Sequence, residues 1–109
     1  MLSKVNRLTK RGSFTFVYNK GQRSHAQLFN LVFVQGKNLR IGFSVPNKIG
    51  KATTRNLLKR RLRAICRMLV SDIKPAQMVF TAKAGAEELS FREVEKTVKY
   101  LLQKAKLLN

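Results

Sequence analysis

The sequence predicts an α+β domain in which helices pack against a small sheet. Three observations carry the prediction. Apolar residues recur at helical spacing in the middle and at the end of the chain, and more briefly near its start. Short runs rich in β-branched and aromatic residues lie between these stretches. The 109 residues are 44% hydrophobic, enough for one core, and their 2 prolines and 6 glycines are scattered, so no long linker divides the chain. A single domain over residues 1–109 is expected.

Ser13 to Asn19 (SFTFVYN) reads as a short first helix. Phe14, Val17 and Tyr18 repeat at helical intervals, Ser13 is placed to cap it, and Gly21 follows its end. Phe29 to Val34 (FNLVFV) and Leu39 to Val45 (LRIGFSV) read as strands, with Gln35-Gly36-Lys37-Asn38 as a hairpin turn between them. Alternation puts Phe29, Leu31 and Phe33 on a core face with Leu39, Ile41, Phe43 and Val45. Asn30, Val32, Arg40 and Ser44 fall on the other side. In KATTRNLLKRRLRAICR, residues 51–67, Leu58, Leu62, Ile65 and Cys66 form an apolar stripe that continues to Leu69. Asn56, Lys59, Arg60, Arg63 and Arg67 lie opposite, and Arg55 sits near the helix start, within reach of the sheet edge. Gln77 to Ala82 (QMVFTA) supplies another strand after Pro75. A last helix begins at Phe91: Ser90 and Glu93 match a capping box, and Val94, Val98, Leu101, Leu102 and Ala105 line its buried side. The order is helix, two strands or more, helix, strand, helix.

Charge narrows the function. Lys and Arg number 23 against 5 Asp and Glu, a formal net charge of +18. A compact domain with that surplus repels itself, and nucleic acid is the partner that relieves it. The surplus is uneven: residues 1–71 hold 16 Lys or Arg and no carboxylate, while the remaining 38 hold 7 basic and 5 acidic residues. The longest apolar runs, such as Leu31-Val32-Phe33-Val34, are too short to cross a bilayer. Met1-Leu2-Ser3-Lys4 leads into polar sequence rather than a secretory signal, and the single cysteine, Cys66, fits a reducing compartment. A cytoplasmic protein with no membrane partner is expected.

Residues for catalysis are few. Metal-assisted phosphodiester cleavage needs grouped carboxylates, and acid–base cleavage needs a His paired with a second titrating group. Here His25 stands alone and every acid lies from Asp72 onward. Glu93 is better used as a helix cap, Glu95 as a partner of Lys99 one turn on, and Cys66 as an inert core thiol. No catalytic or metal-ligating residue is assigned. Binding is better supplied: arginine forks match phosphate, and Phe14 and Tyr18 beside the basic helix offer ring faces to unstacked bases. The competing reading of these two rings is ordinary core packing of a short helix.

At this point the residues match a known family. KIGKATTRNLLKRRLRAICR resembles the signature of the bacterial ribonuclease P protein subunit, a Gly-Lys/Asn-Ala lead-in followed by Arg-Asn-Arg and Lys-Arg. Asn6-Arg7-Leu8, Phe14, Tyr18, Gly42-Phe43-Ser44-Val45 and Lys48-Ile49-Gly50 fall where that family has similar residues, so the resemblance covers essentially the whole chain. It implies a compact α-β-β-β-α-β-α sandwich with a small central sheet and a left-handed crossover through the basic helix, against the usual right-handed rule. It also implies a role in maturing the 5′ end of precursor tRNA, with a large RNA subunit as the catalyst. The protein would bind that RNA and the substrate's 5′ leader, with Mg²⁺ held mainly by RNA and no protein partner required. By similarity, Lys51, Arg55, Asn56, Lys59, Arg60, Arg63 and Arg67 would bind RNA, and Phe14, Tyr18 and the exposed sheet face near Val32 would form the leader cleft. Two positions depart from the family. The third signature residue is Leu57, so one RNA contact is missing or shifts to Arg61, and Val32 stands where relatives often carry an aromatic, which weakens stacking.

Three alternatives remain. A general RNA-binding or ribosomal protein would share the charge but not discriminate precursor from mature tRNA. A free-standing nuclease would cleave without an added RNA. A sequence-specific DNA-binding module would need base-reaching side chains in a helix-turn-helix or similar setting, and none is evident.

Overall fold

In the computed structural model, which describes residues 4–109, the chain runs α1 (Arg11–Lys20), β1 (Gln22–His25), β2 (Phe29–Gln35), β3 (Arg40–Ser44), α2 (Ala52–Leu69), β4 (Ala76–Ala82) and α3 (Phe91–Lys104). Met1-Leu2-Ser3, read above as the lead into polar sequence, lie outside the described residues. This is the expected α+β order, with α1 on one face of a four-stranded sheet and α2 and α3 on the other.

The expected apolar stripes are what hold the layers together. Leu58, Leu62, Ile65, Cys66 and Leu69 of α2 and Val94, Val98, Leu101 and Leu102 of α3 are buried against Phe29, Leu31, Phe33, Ile41, Met78 and Phe80 of the sheet. Burying a side chain of this size stabilises by roughly 1.5–3 kcal/mol, so packing rather than capping carries α2, whose N-cap Lys51 makes no side-chain cap bond. α3 has both. Ser90 Oγ accepts from the Glu93 N–H at 3.2 Å, and Glu93 Oε1 accepts from the Ser90 N–H at 3.0 Å. Those bonds from Ser90, the backbone one first, hold the Glu93 carboxyl below its usual range.

Strand pairing differs from the sequence expectation. The sheet order is β1-β2-β4-β3, with β2 antiparallel to both β1 and β4, and β3 parallel to β4. Gln35-Gly36-Lys37-Asn38 therefore does not close a hairpin between paired strands, because β4 lies between β2 and β3. β4 is apolar towards both faces, with Met78, Val79 and Phe80 all fully buried, and the centre of a sheet is where such a strand belongs. The true hairpin is β1–β2, closed by the Ala26 N–H donating to the Phe29 carbonyl at 2.9 Å. β3 and β4 are parallel neighbours, and α2 is the connection between them. The first helix also begins earlier than expected. Lys10 is its N-cap without a side-chain bond, and Ser13 sits in the first turn rather than capping it.

Candidate nucleic-acid interface

Burying the α2 stripe forces its cations outward. Lys51, Asn56, Arg60 and Arg67 are exposed, while Arg55, Lys59 and Arg63 are half-buried at the flank. Arg55 Nε donates to the Gly50 carbonyl at 3.1 Å, which holds its guanidinium over the loop before the helix. Among the described residues the only ion pair is Lys99–Glu95 at 3.6 Å, on α3, so no carboxylate neutralises any cation of α2. An uncompensated row of Arg and Lys is a surface built for an external polyanion.

The opposite face of the sheet is only partly covered. Register aligns Arg23, Val32, Val79 and Gly42 in one row and His25, Asn30, Thr81 and Ser44 in the next. α1 lies over the first row: Val17 is buried with Val32, Val79 and Leu8, and Phe14 and Tyr18 pack against them. A Cβ on Gly42 would stand 2.6 Å from Phe14 Cζ, so the absence of a side chain there is what seats the ring on β3. The second row stays half-buried or exposed beside α1. The Tyr18 hydroxyl shares a 3.1 Å hydrogen bond with Thr81 Oγ1, and His25 Nδ1 lies 3.0 Å from Asn30 Oδ1. The result is an aromatic residue of α1 beside a polar row of the sheet.

Val32 needs correction. It is on the expected side of its strand but only 1% exposed, because α1 lies on top of it. It can present no surface to a ligand. Val32→Ala is expected to lower stability by about 2 kcal/mol, the loss of two buried carbons plus a small cavity, at unchanged nucleic-acid affinity. Thermal denaturation and a binding titration on the same variant check both halves.

The two surfaces meet around the outer edge of β3. A cleft of about 210 Å³ there is lined by Arg7, Phe14, Gly42, Phe43, Lys59 and Arg63. It brings the first-helix ring together with two cations of α2 that lie 45 and 49 residues further along the sequence. Arg61 stands apart from this surface. Its Nη1 donates to the Leu89 carbonyl at 3.1 Å, which ties α2 to the segment before α3 and engages that nitrogen within the fold. Leu57 itself is 46% exposed. Sequence reasoning did not place His25 and Thr81 on this polar row or Phe43 as a cleft wall. For Thr81 the signal was present in the alternation of Gln77, Val79 and Thr81 along β4.

Three of the five acids are occupied elsewhere. Glu87 Oε1 accepts from the Gly85 N–H at 2.8 Å, Glu93 caps α3, and Glu95 faces Lys99. Among the described residues no three His, Cys, Asp or Glu side chains converge as a metal site. Burial pushes the Cys66 thiol up to about 12, far from nucleophilic. The arrangement can grip phosphates, stack on bases and offer hydrogen bonds to an extended strand. No helix among the described residues is long and apolar enough to cross a membrane.

Comparison with known proteins agrees with this geometry. The family model described as Ribonuclease P matches residues 2–106. The ribonuclease P protein component of Pseudanabaena sp. is 40% identical, over 100% of this chain and 98% of the relative. Among solved structures, the RNase P protein of Staphylococcus aureus superposes with a TM-score of 0.91 at 26% identity, covering 97% of this chain and 100% of that one. The Thermotoga maritima RNase P protein gives 0.82 at 30% identity, covering 90% and 96%.

Proposed function

Because the chain belongs to the ribonuclease P protein family, we propose that it is the RNA-binding subunit of a holoenzyme that removes the 5′ leader of precursor tRNA. On this reading Lys51, Arg55, Asn56, Lys59, Arg60, Arg63 and Arg67 bind the catalytic RNA. The leader runs beside Phe14 and Tyr18 along the row of His25, Asn30, Thr81 and Ser44. One observation carries the proposal: the cleft at the edge of β3 joins unpaired α2 cations to the Phe14 ring, so one surface can touch a folded RNA and an extended strand together. The protein's work is electrostatic and geometric. It screens phosphate repulsion between the two RNAs and holds the leader extended, while the RNA holds the Mg²⁺ and carries the chemistry. Cytoplasmic location, and no need of a protein partner, follow from the same reading.

Reconstitution tests it. With a bacterial ribonuclease P RNA at physiological Mg²⁺, the complex is expected to cleave precursor tRNA and to bind it more tightly than leaderless tRNA. The protein alone with Mg²⁺ is expected to leave the substrate intact. Equal affinity for the two substrates would remove the leader groove and favour a general RNA-binding protein. Cleavage without added RNA would overturn the assignment of the chemistry.

A further inference from the structure

α1 has a second aromatic surface that the groove does not use. Phe14, Val17 and Tyr18 face the sheet, but Phe16 projects from the other side of the helix and is 47% exposed. A single exposed Phe is ordinary by itself. Its surroundings are less so. One turn before it stands Gly12, where an added Cβ would meet nothing within 4 Å. Packing therefore does not require glycine at this position. A helix of 10 residues with no side-chain N-cap bond would be firmer with alanine there, since glycine costs about 1 kcal/mol in a helix. What the glycine does is leave the helix surface bare beside the Phe16 ring, because residues four apart stack on one face.

The polar groups around the ring point to the ligand. Lys20, one turn after Phe16 on the same side of the helix, is exposed and has no ion-pair partner among the described residues. Thr15 turns its hydroxyl back to the Arg11 carbonyl at 3.2 Å and so does not compete for the ring. Asn19 offers an exposed amide beside it. A half-exposed ring beside a free cation and no carboxylate suits an unpaired base with its phosphate.

We propose that the outer face of α1 is a second stacking site for single-stranded RNA, with Phe16 as the platform, Gly12 as the open approach and Lys20 on the phosphate. The site rests on the RNA-binding reading above and adds to it a contact separated from the groove by the thickness of α1. The same chemistry is offered by leader nucleotides and by an unpaired nucleotide of the catalytic RNA, and the test separates them.

The full-length protein carrying Phe16→Ala is reconstituted with the catalytic RNA. Affinity is measured for the RNA itself and, in the holoenzyme, for precursor tRNA with short and long leaders and for leaderless tRNA. Losing a stacked base is expected to weaken binding by about 5- to 150-fold in one arm, at unchanged melting temperature because the ring is exposed. Loss confined to leader-bearing substrate assigns the leader, and loss of affinity for the RNA alone assigns the catalytic RNA. Phe16→Tyr is expected to retain binding. Gly12→Leu supplies a change of opposite sign: it should raise the melting temperature while covering the ring and weakening the same arm. Unchanged affinities for Phe16→Ala, or a stabilised Gly12→Leu that binds as well as the unaltered protein, would overturn the site. A parallel variant lacking Arg55, Lys59 and Arg63 keeps the two readings apart. If it loses RNA affinity while Phe16→Ala does not, only the α1 site fails. If it too binds normally, the RNA-binding reading fails with it.

Discussion

Replacing Arg55, Lys59 and Arg63 together by alanine is expected to weaken binding of the catalytic RNA by about a thousandfold at low salt, with the fold intact. A charge-assisted bond to phosphate contributes roughly 1.5–3 kcal/mol, so three at the low end make about 4.5 kcal/mol, a little over three decades in affinity. Salt dependence gives a sharper reading. Each neutralised phosphate on a duplex contributes about −0.9 to the slope of log affinity against log salt, so the triple variant should lose about 2.7 of it. The deficit should then shrink as salt rises. Stability should hardly suffer, because no carboxylate pairs with these cations and their removal relieves repulsion along α2. Against that stands only the Arg55 bond to the Gly50 carbonyl, worth about 1 kcal/mol. An unchanged salt slope would mean that this flank of α2 does not touch phosphate.

The parts of this molecule that could be read from sequence are those in which one residue period decides the outcome. In α2 and α3 the 3.6-residue stripe is strong enough to fix the buried side, and the outward position of the cations follows from it. The cap at Ser90 was legible because a capping box is local. What was not legible depends on partners distant in sequence. β1, four residues reading QRSH, has no strand composition; it is a strand because β2 pairs with it, and it buries only Ser24. Strands β2 and β3 can be read from their own composition but their neighbour cannot, since the apolar run Met78-Val79-Phe80 suits β4 to the centre of a sheet without saying which strands flank it. The site shows the same division. The basic row and the half-buried rings of Phe14 and Tyr18 were visible as residue types. Whether Val32 meets solvent or α1, and whether Arg61 meets RNA or the Leu89 carbonyl, depended on packing 15 residues back for Val32 (Val17) and on a bond 28 residues forward for Arg61.

Gly42→Ala is expected to cut the preference for leader-bearing substrate by about tenfold, through the ring that Gly42 seats. The new Cβ would lie 2.6 Å from Phe14 Cζ, 2.7 Å from Cε1 and 3.2 Å from Leu8 Cβ, distances at which something must move. The backbone of β3 is the less able to move. It is held by the β4 ladder on one side, and on the other by a bridge to Arg7, where the Leu8 N–H donates to the Ile41 carbonyl at 2.9 Å. The Phe14 ring therefore gives way, leaving the position from which it borders the cleft shared with Lys59 and Arg63. Overpacking of this kind costs about 1–3 kcal/mol of stability, and losing a stacked base costs a similar amount of affinity. Because both effects run through one ring, they should not add to its removal. In a double-mutant cycle, Gly42→Ala combined with Phe14→Ala should discriminate the leader no worse than Phe14→Ala alone. It should also melt higher than Phe14→Ala, since the added methyl partly fills the space the ring vacates. Strictly additive losses of leader affinity would show that Gly42 acts by some route other than Phe14, and the ring would lose its place in the groove.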